Sequence, residues 1–320
     1  MSKAVFENFN VDLNKVRCQN PVVIVTGCSS GIGFELAKIL YQNPDYNAVI
    51  TCRAHSMLTL QGIFTENERF MVRELDITKD DNIYSLIHEI QDLWGRVDVI
   101  VNNAAVCYRA VVEHMDFESE QTQLRTNYLG PMSLIRSVLP LMREQRSGHI
   151  INISSVSGML AMPTMGSYSA SKHALEGATE ALWYEARPVG IKVNLLQLGF
   201  INSAAVKNVI LTPKAHMSTQ LSGPHSEYYK SMVPMIEMLM RYSWNSSETI
   251  AYKIMKIIRK PKSYLRVPLT FDAILFGIIK KIVPSFILQR ILYWTLPNSK
   301  GWGGRWSVAK TSPALKKITK

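Results

Sequence analysis

The run Val22-Val23-Ile24-Val25-Thr26-Gly27-Cys28-Ser29-Ser30-Gly31-Ile32-Gly33, leading into Phe34 to Tyr41, decides the fold. Four consecutive β-branched residues predict a strand buried on both faces. The glycines after it predict a turn, and Phe34 to Tyr41 a helix. A helix start leaves backbone N–H groups unpaired and partly positive, so a pyrophosphate can sit there if glycines let the chain approach it. Gly27, Ser29, Ser30, Gly31, Ile32 and Gly33 would line that seat. The spacing G-x-x-x-G-x-G is a weak signal alone. Its weight comes from what surrounds it.

Outward from the turn, short apolar runs alternate with amphipathic helical stretches: Ala48 to Thr51, Phe70 to Leu75, Val97 to Val101, His149 to Ile153 and Val193 to Leu196 are the runs. This predicts an α/β fold, a doubly wound parallel sheet with right-handed crossovers and helices on both faces. Ligands of such sheets bind at the carboxyl ends of the strands. Gly27, Arg53, Asp76, Asn103, Ser155 and Gly199 would gather there.

A second cluster lies downstream, at Ser155, Tyr168 and Lys172, with Asn127 further back. Tyr168 and Lys172 are four apart in a helical stretch and so project from one face. With 13 tyrosines and 20 lysines, chance supplies about one such pair. Tyr252 and Lys256 form a second, on a basic helix with no serine-rich strand end before it, and read as a solvated face. The first pair differs because a strand ending in Ser154-Ser155 precedes it.

On these motifs, with Asn102-Asn103-Ala104-Ala105 and Asp76, the chain resembles the short-chain dehydrogenase/reductase family over roughly residues 20 to 205. Within it, the glycine turn looks most like the branch of 17β-hydroxysteroid dehydrogenases and retinol dehydrogenases. The resemblance implies a Rossmann-type sheet and a catalytic set of Asn127, Ser155, Tyr168 and Lys172. It implies a dinucleotide held by the turn residues, Asp76, Ile77, Asn103, Ala104, Tyr168, Lys172, Gly199, Ile201 and Ser203, with no metal. Three residues depart from the family pattern: Ala105 for glycine, Leu198 for proline before Gly199, and Ser203 for threonine. Ala105 should tighten the space beside the cofactor, and Ser203 keeps a hydroxyl for the nicotinamide carboxamide.

Carbonyl reduction needs a hydride, an acid and a group that orients the oxygen. Tyr168 is the expected acid, its phenol lowered from ~10 by two to three units, roughly 3 to 4 kcal/mol. An ammonium at ~4 Å and an effective dielectric of ~20 supplies on the order of 4 kcal/mol, so Lys172 should suffice. By resemblance Lys172 also holds the nicotinamide ribose, Ser155 bonds the substrate oxygen, and Asn127 supports a water linking Lys172 to solvent. Cofactor choice is expected at Thr51-Cys52-Arg53, where no acid follows the second strand. An NAD site usually places one there, whereas a guanidinium matches the 2′-phosphate of NADP(H).

Apolar residues make up 47% and charged residues 19% of the 320, a globular balance. Cys18, Cys28, Cys52 and Cys107 show no C-x-x-C spacing and are expected reduced, which suits a cytoplasmic setting. No signal peptide is read in Met1 to Asn20. The net charge of +11 is uneven, since residues 201–320 carry 19 Lys and Arg against four acids. Those bases interleave with aliphatic runs rather than a nucleic-acid motif, so an anionic membrane surface is the expected partner and nucleic acid is not.

Residues 1–20 are read as an N-terminal extension, 21–268 as the catalytic domain, and 269–320 as a C-terminal helical, basic, amphipathic extension. Met217, Met232, Met235, Met238 and Met240 mark 200–245 as a lid over a hydrophobic small-molecule substrate, with ordinary core packing the alternative. Asn245-Ser246-Ser247-Glu248 reads as a capping-box helix start, and Arg266-Val267-Pro268 as a closing strand. Lys280, Lys281, Pro284 and Arg290 interrupt the apolar run of 269–296, which therefore should not span a bilayer. Two helices broken at Pro284 would lie on its surface, with Tyr293, Trp294, Trp302 and Trp306 near their ends; the alternative is a helical pair packing on the protein itself or on a second subunit. A homodimer through the helices of Asn127 and Tyr168 follows by resemblance only. The sequence thus predicts a peripheral membrane NADP(H)-dependent oxidoreductase; the alternative is an NADP(H)-binding sensor or scaffold without turnover.

Overall fold

A computed structural model describes residues 18–202, 209–220 and 225–302. The expected N-terminal extension lies almost wholly outside these residues, as do Ser203 and Trp306. In chain order the first half comprises β1 (Val22–Val25), α1 (Gly31–Gln42), β2 (Asn47–Cys52), α2 (Ala54–Gln61), β3 (Phe70–Glu74), α3 (Asp80–Trp94), β4 (Val99–Asn102) and β5 (Cys107–Arg109). Then follow α4 (Phe117–Leu124), α5 (Gly130–Gln145), β6 (Gly148–Ser155), α6 (Gly166–Ala186) and β7 (Ile191–Leu198). The last part holds β8 (Val209–Leu211), α7 (Pro213–Gln220), α8 (Ser226–Arg241), α9 (Ser247–Arg259), β9 (Arg266–Pro268), α10 (Phe271–Ile282) and α11 (Ser285–Thr295).

Seven strands form one parallel sheet in the order β3-β2-β1-β4-β6-β7-β9. The order reverses beside β1, so a crevice opens between the carboxyl ends of β1 and β4. Because both faces are covered, alternate residues of one strand feed two cores. Val23 and Val25 pack with α1 and α9 on one side, Val22 and Ile24 with α3 and α5 on the other. A buried polar chain crosses the second layer: Asn102 Nδ2 donates to Asn152 Oδ1 at 2.8 Å, and Asn152 Nδ2 to Thr179 Oγ1 at 2.9 Å. These bonds fix the rotation of α6 against β6.

Leu198 ends β7 in register with Ser155. The closing strand is β9, and Pro284 caps α11 after a break from α10, both as expected. The start of α9 is where expected, but its cap is Ser246, whose hydroxyl accepts from Thr249 N at 3.1 Å. The capping box therefore does not form, because the third helical residue is Thr249 and not Glu248. Outside the main sheet, β5 and β8 pair in parallel, and α8 packs Tyr229 onto Ala110 and Val111. Met232, on the same helix, is buried, while Met217 and Met238 are exposed. Among the described residues no helix is long and apolar enough to cross a membrane.

Candidate active site

At the head of the crevice, Gly27 and Gly31 have φ of +72° and +61°. A Cβ on Gly33 would lie 2.4 Å from the Gly27 carbonyl oxygen and 2.5 Å from Asn103 Nδ2, so only glycine lets α1 start this close to the turn. Asn103 stitches the turn, donating from Nδ2 to the Thr26 and Gly27 carbonyls at 2.9 and 3.0 Å. The N–H groups of Asn103 and Ala104 both reach Thr26 Oγ1 at 3.0 Å. Ser29 and Ser30 are exposed at the mouth, as is Ala105.

The turn fits a dinucleotide by its chemistry. Around Gly31 a Cβ would find open space, with only Ser247 Oγ within 4 Å, at 3.9 Å. That hydroxyl is buried and has no hydrogen-bond partner, so a polar atom stands ready beside the unpaired N–H groups of α1. Arg53 is exposed at the end of β2, where no carboxylate follows the strand. Asp76 spends one carboxylate oxygen on its own turn, accepting from Thr78 N at 3.1 Å and Thr78 Oγ1 at 2.7 Å. Ile77 and Ile201 place their side chains in opposite cores. Gly199 N donates to Thr270 Oγ1 at 2.8 Å and Phe200 N to Asp272 Oδ2 at 2.6 Å, so the start of α10 holds the loop after β7.

Deeper in, the structure brings the four expected catalytic residues together. Tyr168 and Lys172 lie on α6, and the Tyr168 hydroxyl stands beside the Ser155 side chain at the end of β6. Ser155 Oγ also accepts from Ser157 N at 3.2 Å, which curls the chain after the strand. Asn127 sits in a single π-helical turn, Arg125–Leu129, between α4 and α5. Such turns concentrate at functional positions. Its Oδ1 accepts from Val106 N at 2.9 Å, and its Nδ2 donates to Val106 O at 2.9 Å and Ser171 Oγ at 3.0 Å. Both donors are thus spent on bracing α6 against the loop after β4, and only acceptor capacity remains for a water.

The electrostatics differ from the expectation in one respect. Burial pushes the Tyr168 phenol above its ordinary value, helped by Cys107 and opposed by the Ser155 side chain. The surface of Tyr168 is partly exposed, but its hydroxyl end lies deep enough for burial to dominate. Lys172 Nζ is 6.0 Å from the Tyr168 ring centre and donates to the Ile153 carbonyl at 2.8 Å. Burial also pulls this ammonium down to about 8, while Cys107 and Glu176 hold it up. The lowering of the phenol expected from a lysine at close range is therefore not a property of the protein alone. A protonated phenol is nonetheless the form that gives a proton to a carbonyl oxygen.

Cys107, Ser171 and Glu176 belong to this neighbourhood and were not singled out by the sequence. Ser171, fully buried directly before Lys172, is the one whose position could have suggested it. All four cysteines are free thiols, and burial raises Cys28 to about 12 and Cys52 and Cys107 to about 11. The control pair behaves as a surface pair: Tyr252 is 60% exposed, with Lys256 Nζ 5.5 Å from its ring centre.

Comparison with known proteins agrees with this geometry. The sequence matches the short chain dehydrogenase family over residues 21–213. It is 30% identical over 282 residues to the 3-ketodihydrosphingosine reductase of Bacteroides thetaiotaomicron, covering 86% of this chain and 98% of that one. It is 32% identical over 210 residues to dehydrogenase/reductase SDR family member 7B of Xenopus tropicalis, covering 60% of this chain and 64% of that one. A crystal structure of a short-chain dehydrogenase from Streptomyces avermitilis superimposes with a TM-score of 0.69 at 26% identity, covering 88% of this chain and 99% of that one. The chain belongs to the short-chain dehydrogenase family and is an oxidoreductase.

Proposed function

We propose that the protein uses NADP(H) to interconvert a ketone or aldehyde and an alcohol on a hydrophobic molecule of the steroid, retinoid or fatty-chain kind, in the reductive direction, at a membrane surface. The observation that carries this reading is the Tyr168 hydroxyl placed beside the Ser155 side chain, with Lys172 one turn further along the same helix. A bound NADPH would supply the hydride. The chain's own part is to seat the pyrophosphate at Gly27 to Gly33, hold the carbonyl oxygen between Ser155 and Tyr168, and deliver the phenol's proton to it. Gly199, Ile201 and Ser203 would close over the nicotinamide. Arg53 supports the 2′-phosphate form, since a guanidinium pairs with phosphate and no acid directly follows β2 in the chain to hold a ribose hydroxyl instead.

The substrate class and the surface rest on the last two helices. On α10, Phe271, Ile274, Leu275, Ile278 and Ile282 are all 43% exposed or more and recur at helical spacing. The other side of α10 is already used, with Ala273 and Phe276 packed on Val156 and Met159, and Lys280 Nζ donating to the Met159 carbonyl at 2.6 Å. One helix thus presents an apolar face outward while its inner face touches the turn after Ser155. Phe286, Ile291 and Trp294 continue that exposure on α11, beside the exposed bases Lys281, Arg290 and Lys300. Apolar residues ringed by bases suit an anionic lipid surface.

Residues 21–268 are read as the catalytic domain and 269–320 as the surface-seeking extension, with 200–245 over the substrate. The relative named for 3-ketodihydrosphingosine favours a ketone on a long-chain lipid among the candidate substrates. The test is NADPH and NADH oxidation with steroid, retinal and long-chain keto-lipid carbonyls presented in vesicles. Turnover with NADPH and a hydrophobic carbonyl supports the reading; tight NADPH binding with no turnover on any of them leaves a sensor or scaffold.

A further inference from the structure

We propose that Glu176 is a positioning residue for this reaction, a buried carboxylate that holds Lys172 charged and aligns the strand end that carries Ser155. The inference rests on the reading of Lys172 as the charged member of the site. Tyr168, Lys172 and Glu176 succeed one another at four-residue steps along α6, so all three lie on one helical face. Glu176 is 5% exposed, and a carboxylate that deep needs partners for its oxygens.

It has them from three strands. Oε1 accepts from Ser154 Oγ at 2.8 Å, and Gln197 Nε2 donates to both oxygens at 3.1 and 3.0 Å. Arg266 Nε approaches Oε2 at 3.4 Å while its Nη2 bonds Glu180 at 2.8 Å. β6, β7 and β9 therefore all grip the same carboxylate, next to the residue that precedes Ser155. The turn after Ser155 closes on it too, since a Cβ on Gly158 would lie 2.6 Å from Oε1 and 2.7 Å from Ser154 Oγ.

Among the described residues, the charged and titratable groups beside this pair are Tyr168 and Cys107 next to Lys172, and Arg266 and Glu180 next to Glu176. Arg266 is shared between two carboxylates, so Glu176 keeps negative charge to offer Lys172, whose own hydrogen bond goes to a neutral carbonyl. Removing that charge leaves a buried ammonium with less compensation and makes it release its proton at lower pH.

The experiment replaces Glu176 by Gln, and by Asp as a charge-keeping control, in the full-length protein. The Lys172 side chain is titrated by NMR on protein labelled at lysine Cε, assigned with Lys172→Met, and the pH profile of kcat/KM for carbonyl reduction is recorded alongside. Glu176→Gln should move the Lys172 titration and the basic limb of the profile down by about one pH unit, tenfold in proton affinity, with Glu176→Asp staying near the unsubstituted protein. An unmoved Lys172 titration, or a profile that superimposes after scaling, overturns the inference. The titration reads out without turnover, so failure of the reductase reading appears separately, as absence of activity in the unsubstituted protein.

Discussion

Replacing Ile278 and Ile282 by Asp on the outer face of α10 should detach the protein from anionic vesicles without unfolding it. These side chains are 50% and 74% exposed, so each has about 1 to 2 kcal/mol of burial still to gain on entering a lipid interface. Each carboxylate also meets the negative surface potential, roughly 1 kcal/mol more. Together the loss is about 4 to 6 kcal/mol, a thousandfold or more in partitioning. Folding is spared because α10 packs inward through Ala273, Phe276 and Lys280. The assay is flotation against increasing phosphatidylglycerol-containing vesicles, with circular dichroism and thermal melting as controls. A folded double variant that partitions within threefold of the unsubstituted protein would refute the reasoning, and the exposed stripe would then belong to a protein contact.

Arg53→Ala should raise the KM for NADPH about ten- to a hundredfold, the worth of a charge-assisted bond, and leave that for NADH almost unchanged; equal effects in steady-state kinetics would remove its role. Lys172 falls from 10.5 free to about 8 folded, so between these values the unfolded chain binds the extra proton. Stability from this group is then complete above 10.5 and is lost as pH falls to 8, and denaturant titrations should show that slope vanish in Lys172→Met. Tyr229→Phe should cost about 1 to 3 kcal/mol in a denaturant midpoint series, because the Val111 N–H loses its acceptor in a buried setting. A loss under about 0.5 kcal/mol would mean that the contact between α8 and the loop after β5 is not fixed by this hydroxyl.

Much of the fold was legible because six strands of the main sheet are largely apolar runs of four to eight residues with helices between them, and the glycine turn sets the first crossover. The pairing of β5 with β8 was not legible, since each strand is three residues long and their partners lie about 100 positions apart. The meeting of Ser155 and Tyr168 could be read from a strand end and a helix face. Glu176 could not, because a glutamate four residues past a lysine looks like a solvated helix pair until β7 and β9 are laid over it. Direct lowering of the Tyr168 phenol was expected from the charge of Lys172, whereas burial pushes it up and only Ser155 pulls it down.

The central claim is that Tyr168 gives the proton to a carbonyl oxygen held by Ser155. Single-turnover reduction of a hydrophobic ketone by pre-bound NADPH, followed for the unsubstituted protein and Tyr168→Phe with cofactor affinity measured in parallel, addresses it most directly. The account predicts a rate about 10² to 10⁴ lower in the variant with NADPH binding within a few-fold; a variant that reduces the ketone at an undiminished rate would contradict it.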